Sequence, residues 1–286
     1  MWVLSTLSFA FCGDNREAAL AIIKRRRGRL WGQVPHLCCN RKACMDTSTA
    51  FLATFATIEK WLRRTANEDR SATFYQLVDR VAAKNRAVAR YCNDLKEYAD
   101  LRNAIIHERT DGHVIAEPNA RAVADFERLC STLLNPPTVI PMFQLSVKTL
   151  TTKDSVGEAI TIMRDGSFSQ LPILSGDTVE ELLTAETVAR WLAAEVANEL
   201  VNLWETKIEL VLQHTEDPNH YCFLPRGATL FDALAKFDQF VEKGKDLDAI
   251  LITNDGRRDQ KLLGILTIYD VPQILAATGL KRVSDS

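Results

Sequence analysis

The sequence predicts an α+β multidomain protein: an all-helical domain, then an α/β domain made of two copies of one unit. Three observations predict it. Apolar residues recur at helical spacing from about residue 46 to 135. A Pro136-Pro137 pair then ends that pattern. From about 139 to 280 the order strand–helix–strand–strand–helix occurs twice. A chain of 286 residues allows about two domains. With 47% hydrophobic and 25% charged residues, each half can form a packed core.

Charge is unevenly spread. The whole chain carries −2, which points to neither a nucleic-acid nor a membrane partner for the molecule as a whole. Residues 1–44 carry net +6, residues 45–135 are neutral, and residues 136–286 carry net −8. A phosphate-bearing ligand in the acidic half therefore needs local positive help.

Residues 1–44 read unlike the rest. Trp2 to Cys12 is apolar but has no positive charge before it and is too short to span a bilayer. Phe11 before Cys12 is too large for a lipoprotein cleavage site. A basic run follows, Lys24-Arg25-Arg26-Arg27-Gly28-Arg29. His36, Cys38, Cys39 and Cys44 are metal-ligand types without paired C-x-x-C spacing. The stretch is expected to be a flexible tail, or an extension upstream of a start at Met45. A zinc site or a nucleic-acid arm is the sharper alternative. No metal is expected. Cys92, Cys130 and Cys222 are scattered among apolar residues, which fits a reducing compartment and a cytoplasmic location.

The helical domain is expected over 46–135. Thr49 to Arg64 sets Phe51, Leu52, Phe55, Ile58, Trp61 and Leu62 on one face. Thr73 to Lys84 repeats the idea with Phe74, Leu77, Val78 and Val81. A third helix is predicted from about Ala87 to Glu108, broken by Thr110-Asp111-Gly112. Pro118-Asn119 opens a last helix, which Asn135-Pro136-Pro137 closes.

The third helix carries chemistry. At about 100° per residue, Lys96, Asp100, Asn103 and His107 form one polar stripe. Leu95, Tyr98, Leu101, Ile105 and Ile106 form the apolar arc, and Arg102 falls inside it. An Arg there needs a carboxylate such as Glu59 or Asp125, a carbonyl or another chain. Its plain reading is an internal ion pair, and that of His107 is a solvated His near a helix C-terminus.

Arg102-Asn103-x3-His107, on a late helix of a small helical domain, resembles the signature of HEPN domains. The resemblance implies a homodimer with these helices facing each other. It also implies, for many members, metal-independent endoribonuclease activity on RNA; other members are inactive nucleotide-binding or adaptor domains. Arg102, Asn103 and His107 are then the candidate catalytic residues. A His titrating near neutrality suits removal of a 2′-hydroxyl proton. An Arg suits the developing phosphorane charge, and Asn103 stands one turn from His107 to orient it. Arg102 and His107 lie about 140° apart on the helix, so two copies across a two-fold axis would pool them better than one.

The repeat begins after the linker. Val147–Leu150, then Asp154–Ile160 and Met163, read as a strand and a helix. Cys222–Leu224, then Ala228–Leu234 and Phe237, read the same way. Leu171–Leu174 matches Ala249–Ile252 as a buried strand. Asn254-Asp255-Gly256 is a tight turn before the strand Leu262–Leu266, and Thr267 opens a helix.

This order resembles a tandem pair of CBS domains over 139–280, with repeat 1 at about 139–205 and repeat 2 at about 209–280. Gly264-Ile265-Leu266-Thr267-Ile268-Tyr269-Asp270 fits the family's Gly-x-x-Thr/Ser-x-x-Asp ending. The resemblance implies a regulatory adenine nucleotide (AMP, ADP or ATP) as small-molecule partner, with no cofactor required. It implies ribose hydroxyls on Asp270, phosphates near Thr267, and the base against apolar residues such as Leu224 and Ile250. Thr267-x-x-Asp270 is also a capping box, formed whether or not a ligand binds. Arg226, Arg257 and Arg258 are further phosphate candidates, or simply solvated. The first copy ends in Glu181-x-x-Thr184-x-x-Thr187, without the Gly and the Asp, so one ligand site per chain is expected. The helix after it is expected to run from Ala185 to about Asn202.

Overall fold

The structure is a computed structural model and describes residues 47–68, 71–107, 109–110, 113–114, 117–197 and 200–280. The N-terminal extension, with its zinc and basic-arm alternatives, lies outside the described residues. So do Asp111 and Gly112 of the predicted helix break.

Helix α1 (Thr47–Ala66) buries Phe51, Phe55, Ile58 and Leu62, three or four residues apart, on one stripe. Helix α2 (Phe74–Ala82) is started by a capping box between Thr73 and Gln76 and buries Phe74, Leu77, Val78 and Val81. The predicted third helix is two: α3 (Arg86–Arg90), capped by Asn85, and α4 (Cys92–His107). Tyr91 between them leaves helical geometry, at φ −103 and ψ 15. A two-residue hairpin of β1 (Arg109–Thr110) and β2 (His113–Val114) leads on to α5 (Ala120–Leu134), whose cap is Asn119. Phe51, Tyr98 and Phe126 stack in the middle of this domain, with ring centroids 4.4–6.2 Å apart.

The repeats follow. A short turn of helix, α6 (Val139–Met142), leads into repeat 1. Its first strand is a single parallel bridge, Leu150 to Ile173. Then come α7 (Val156–Gly166), β3 (Gln170–Ser175), β4 (Thr178–Thr184) and α8 (Ala185–Ala194). Another lead-in helix, α9 (Ile208–Val211), precedes repeat 2: β5 (Tyr221–Pro225), α10 (Leu230–Glu242), β6 (Ala249–Thr253), β7 (Gly264–Leu266) and α11 (Val271–Thr278). In both copies the first strand runs parallel to the second, and the second antiparallel to the third. The helix after repeat 1 is shorter than predicted. It ends at Ala194 and passes through one tight turn, Glu195–Ala197.

Each lead-in helix packs on the other repeat. Val139 and Phe143, at α6, are buried with Leu224, Leu230, Ile250 and Leu266 of repeat 2. Ile208 and Val211, from α9, are buried with Val156, Leu171 and Trp191 of repeat 1. The two sheets also face each other, Val179 and Leu182 against Ala249 and Leu251. Strand β6 is therefore buried on both faces. Ile250 and Ile252 turn to their own helices, while Ala249 and Leu251 turn to the other repeat.

Candidate functional site

Thr267 leaves β7 in extended geometry (φ −130, ψ 176) and starts a helical turn, Ile268–Asp270, that continues into α11. Asp270 Oδ2 accepts from the Thr267 backbone N–H (2.7 Å) and from its hydroxyl (3.2 Å). The two predicted ligand residues are thus side by side, both half-buried. They form the capping box that the spacing also allowed. Gly264, three residues earlier, has a reason of its own. A Cβ there would stand 1.9 Å from the Phe143 carbonyl oxygen, because the end of α6 crosses directly over β7.

The two apolar candidates lie in the core beneath this turn, Ile250 directly opposite Leu266 across the β6–β7 ladder. Ile250 is fully buried between α10, α11 and the lead-in helix, and Leu224 is 6% exposed in the same core. Ile250 presents no surface for a base. Leu224 lines a cavity of about 340 Å³ with Arg86, Gly227 and Lys236. Of the arginines, Arg257 is paired with Asp259 at 2.7 Å. Arg258 donates to the carbonyls of Val179 and Glu180, which staples repeat 2 to strand β4 of repeat 1. Arg226 is exposed.

The first copy has become something different. Thr184 caps α8, accepting from the Thr187 N–H at 3.1 Å, with the two hydroxyls 3.0 Å apart. Thr184 and Thr187 line a cavity of about 390 Å³ with Arg190, Asp217, His220 and Lys245. Thr267 and Asp270 line neither of these cavities. Glu181, in place of the glycine, is half-buried and stands 3.6 Å from His220 Nε2. His220 Nδ1 lies 2.7 Å from Asp248 Oδ2. Burial alone would lower the His220 pKa, but the two carboxylates outweigh it and push it up to about 9. Glu181 is held below the usual carboxylate range; its burial works the other way, and His220 and the Leu182 N–H overcome it. A His between carboxylates of different repeats was not singled out from the sequence. The available signal was Glu181 standing where repeat 2 has Gly264.

The helical candidates lie at the C-terminal end of α4. Arg102 lies over the Phe55 ring, its Cζ 5.8 Å from the centroid. It donates to Asn103 Oδ1 at 3.3 Å. The carboxylates weighed as its partners are engaged by others, Glu59 by Arg63 and Asp125 by Arg121 and Arg128. His107 is the last residue of α4, and its side chain lies outside the described ones. Asp100 accepts from the Tyr75 hydroxyl, and Lys96 pairs with Asp79 at 2.6 Å. The Tyr75 hydroxyl is held above its usual pKa, first by the bond to Asp100. The structure thus brings Arg102 and Asn103 together, and Thr267 and Asp270 together, at separate places.

Among the described residues no three His, Cys, Asp or Glu side chains are grouped to hold a metal, and no helix is long and apolar enough to cross a membrane. No protein-family model and no curated protein matches the chain. Solved structures of CBS-domain proteins are similar to its C-terminal half. One is the CBS domain pair of protein MJ0100 in complex with 5-methylthioadenosine and S-adenosyl-L-methionine: 16% identity, 49% of this chain and 96% of that one, TM-score 0.37. Another is CBSX2 in complex with AMP: 17% identity, 51% and 99% covered, TM-score 0.37. A third is a CBS domain-containing protein of unknown function from Bacillus anthracis: 18% identity, 50% and 94% covered, TM-score 0.38.

Proposed function

We propose that the protein is a regulatory sensor of an adenine nucleotide, read by repeat 2 and reported to the helical domain. The observation that carries this is the doubled strand–helix–strand–strand–helix order with exchanged lead-in helices, which ends in Thr267 and Asp270 at the start of α11. A carboxylate accepts the two hydroxyl protons of a ribose. Asp270 uses Oδ2 for its cap, and its other oxygen, Oδ1, is the one offered to a ribose hydroxyl. The N–H groups of a starting helix favour phosphate. Calorimetry with AMP, ADP and ATP tests the reading on wild type and Asp270→Ala. Binding is expected in wild type and should weaken at least tenfold in the variant, the loss of a charge-assisted hydrogen bond being about 1.5–3 kcal/mol. Equal binding in both removes Asp270 from the site.

For the output, the finer reading is a homodimeric, metal-independent endoribonuclease acting through Arg102, Asn103 and His107. Incubation of varied RNAs with wild type and His107→Ala, with and without AMP, tests it. Cleavage by wild type alone is the expected result, and intact RNA throughout excludes it. A second reading, a non-catalytic adaptor, is favoured by Arg102. Its guanidinium is engaged by the Phe55 ring and by Asn103 within its own domain.

A further inference from the structure

We propose that repeat 2 signals to the helical domain through one joint, in which Tyr91 ties the end of α11 to the start of α4. The nature of the signal rests on the nucleotide-sensing reading above; the place of the joint does not.

Helix α11 begins next to Asp270 and ends at Thr278. The last carbonyls of a helix have no partner within it. Here the Thr278 carbonyl accepts from the Tyr91 hydroxyl, across the boundary between the two domains. Tyr91 is 5% exposed. Burial, with the Asp94 charge, pushes its hydroxyl up to about 12, so it stays a neutral donor. The Tyr91 carbonyl in turn accepts from the Leu95 N–H at 2.9 Å, the first turn of α4. One residue therefore bonds the last turn of one helix and the first turn of the other.

The surroundings hold this residue in place. The ring of Phe231, from α10, meets the Tyr91 ring edge-on at 6.0 Å and 71°. Phe231 belongs to repeat 2 but is buried in the core of the helical domain. Arg90 pairs with Asp238, and Arg86 Nε lies 3.4 Å from Asp232 Oδ1, so α3 is fastened along α10. Both helices of repeat 2 thus grip the segment from which α4 starts. Beyond it, α4 buries Leu95, Ala99 and Ile105 in a packed core and carries Arg102, Asn103 and His107 at its far end. A displacement of α11 at Asp270 has a short, close-packed route to that end.

Hydrogen exchange on the full chain, read by mass spectrometry, tests the joint without any ligand. Thr267→Ala removes the hydroxyl of the capping box on the turn that leads into α11. It is expected to raise exchange about fivefold in the last turn of α11 and in the first turns of α4. In the Tyr91→Phe background, which keeps the ring packing, the α11 response should persist and the α4 response should vanish. An α4 unaffected by Thr267→Ala overturns the proposal, and so does an α4 response that survives Tyr91→Phe. A second arm adds AMP to wild type and to Tyr91→Phe. AMP protecting α11 and α4 in wild type, but only α11 in Tyr91→Phe, supports the joint. Protection of α11 alone in wild type overturns it. If AMP protects neither, the sensing reading falls, and the Thr267→Ala result still decides the joint.

Discussion

His220 shows how much one side chain can join. Its imidazole lies between Asp248 of its own repeat and Glu181 of the other. Its folded pKa of about 9 stands above the ordinary 6.5. A raised pKa contributes stability that is complete below about pH 6.5 and is lost as pH rises through about 9. Melting temperatures of wild type are therefore expected to fall between pH 7 and 10. His220→Gln should melt lower at pH 7, by about 2 kcal/mol of stability, with a flatter profile over that window. Parallel profiles would show that the imidazole is not charged there. Gly264 is the second such residue. Gly264→Ala is expected to cost about 3 kcal/mol or more in urea unfolding, since neither β7 nor the α6 backbone can yield. The Gly264 requirement is visible in sequence only as a motif position. The Phe143 carbonyl that explains it comes from another element.

At the scale of the element, helix starts were legible, as were the ends at His107 and Leu134; the end of α8 at Ala194 and the break at Tyr91 were not. Thr73, Asn119, Ser155, Thr184 and Thr229 each cap a helix through a backbone N–H three residues on. Such caps are local chemistry, so short spacing reveals them. Thr229 and Asp232 form a full capping box on α10. Thr229→Ala is expected to cost about 1 kcal/mol, read as a lower urea midpoint at unchanged slope. The break at Tyr91 was not legible, because the periodicity on either side is continuous. It exists so that the hydroxyl reaches Thr278 and the ring reaches Phe231, both in repeat 2. The first strand of repeat 1 is similar. Val147–Leu150 reads as a strand, yet only Leu150 pairs, with Ile173.

At the scale of the molecule, the divisions of the chain and the divisions of its core do not coincide. Val139 and Phe143 lead into repeat 1 but are buried in repeat 2, and Phe231 of repeat 2 is buried in the helical domain. Phe231→Ala is expected to cost about 3–5 kcal/mol. Calorimetry should show the loss in the transition that melts the helical domain. A change confined to the repeats would show that the shared core is not cooperative. The same sharing joins α11, which starts at the candidate sensor, to the start of α4, which carries the candidate output at its far end.

By itself the sequence determined the fold class, the helical faces, the doubled unit and the adjacency of Thr267 and Asp270. Each of these is a pattern of period or spacing within a few residues, and local geometry makes it readable. Only the tertiary structure decided which repeat each lead-in helix serves, that Ile250 is core, that Arg102 lies on Phe55, and that His220 joins two carboxylates. These depend on contacts between residues far apart in the chain, where apolar spacing says that a side chain is buried but not against what. Thr267 and Asp270 show both sides of this. Their spacing promised a capping box and a ribose site alike; the fold supplies the cap, and through Thr278 and Tyr91 it gives the same helix a second end to act on.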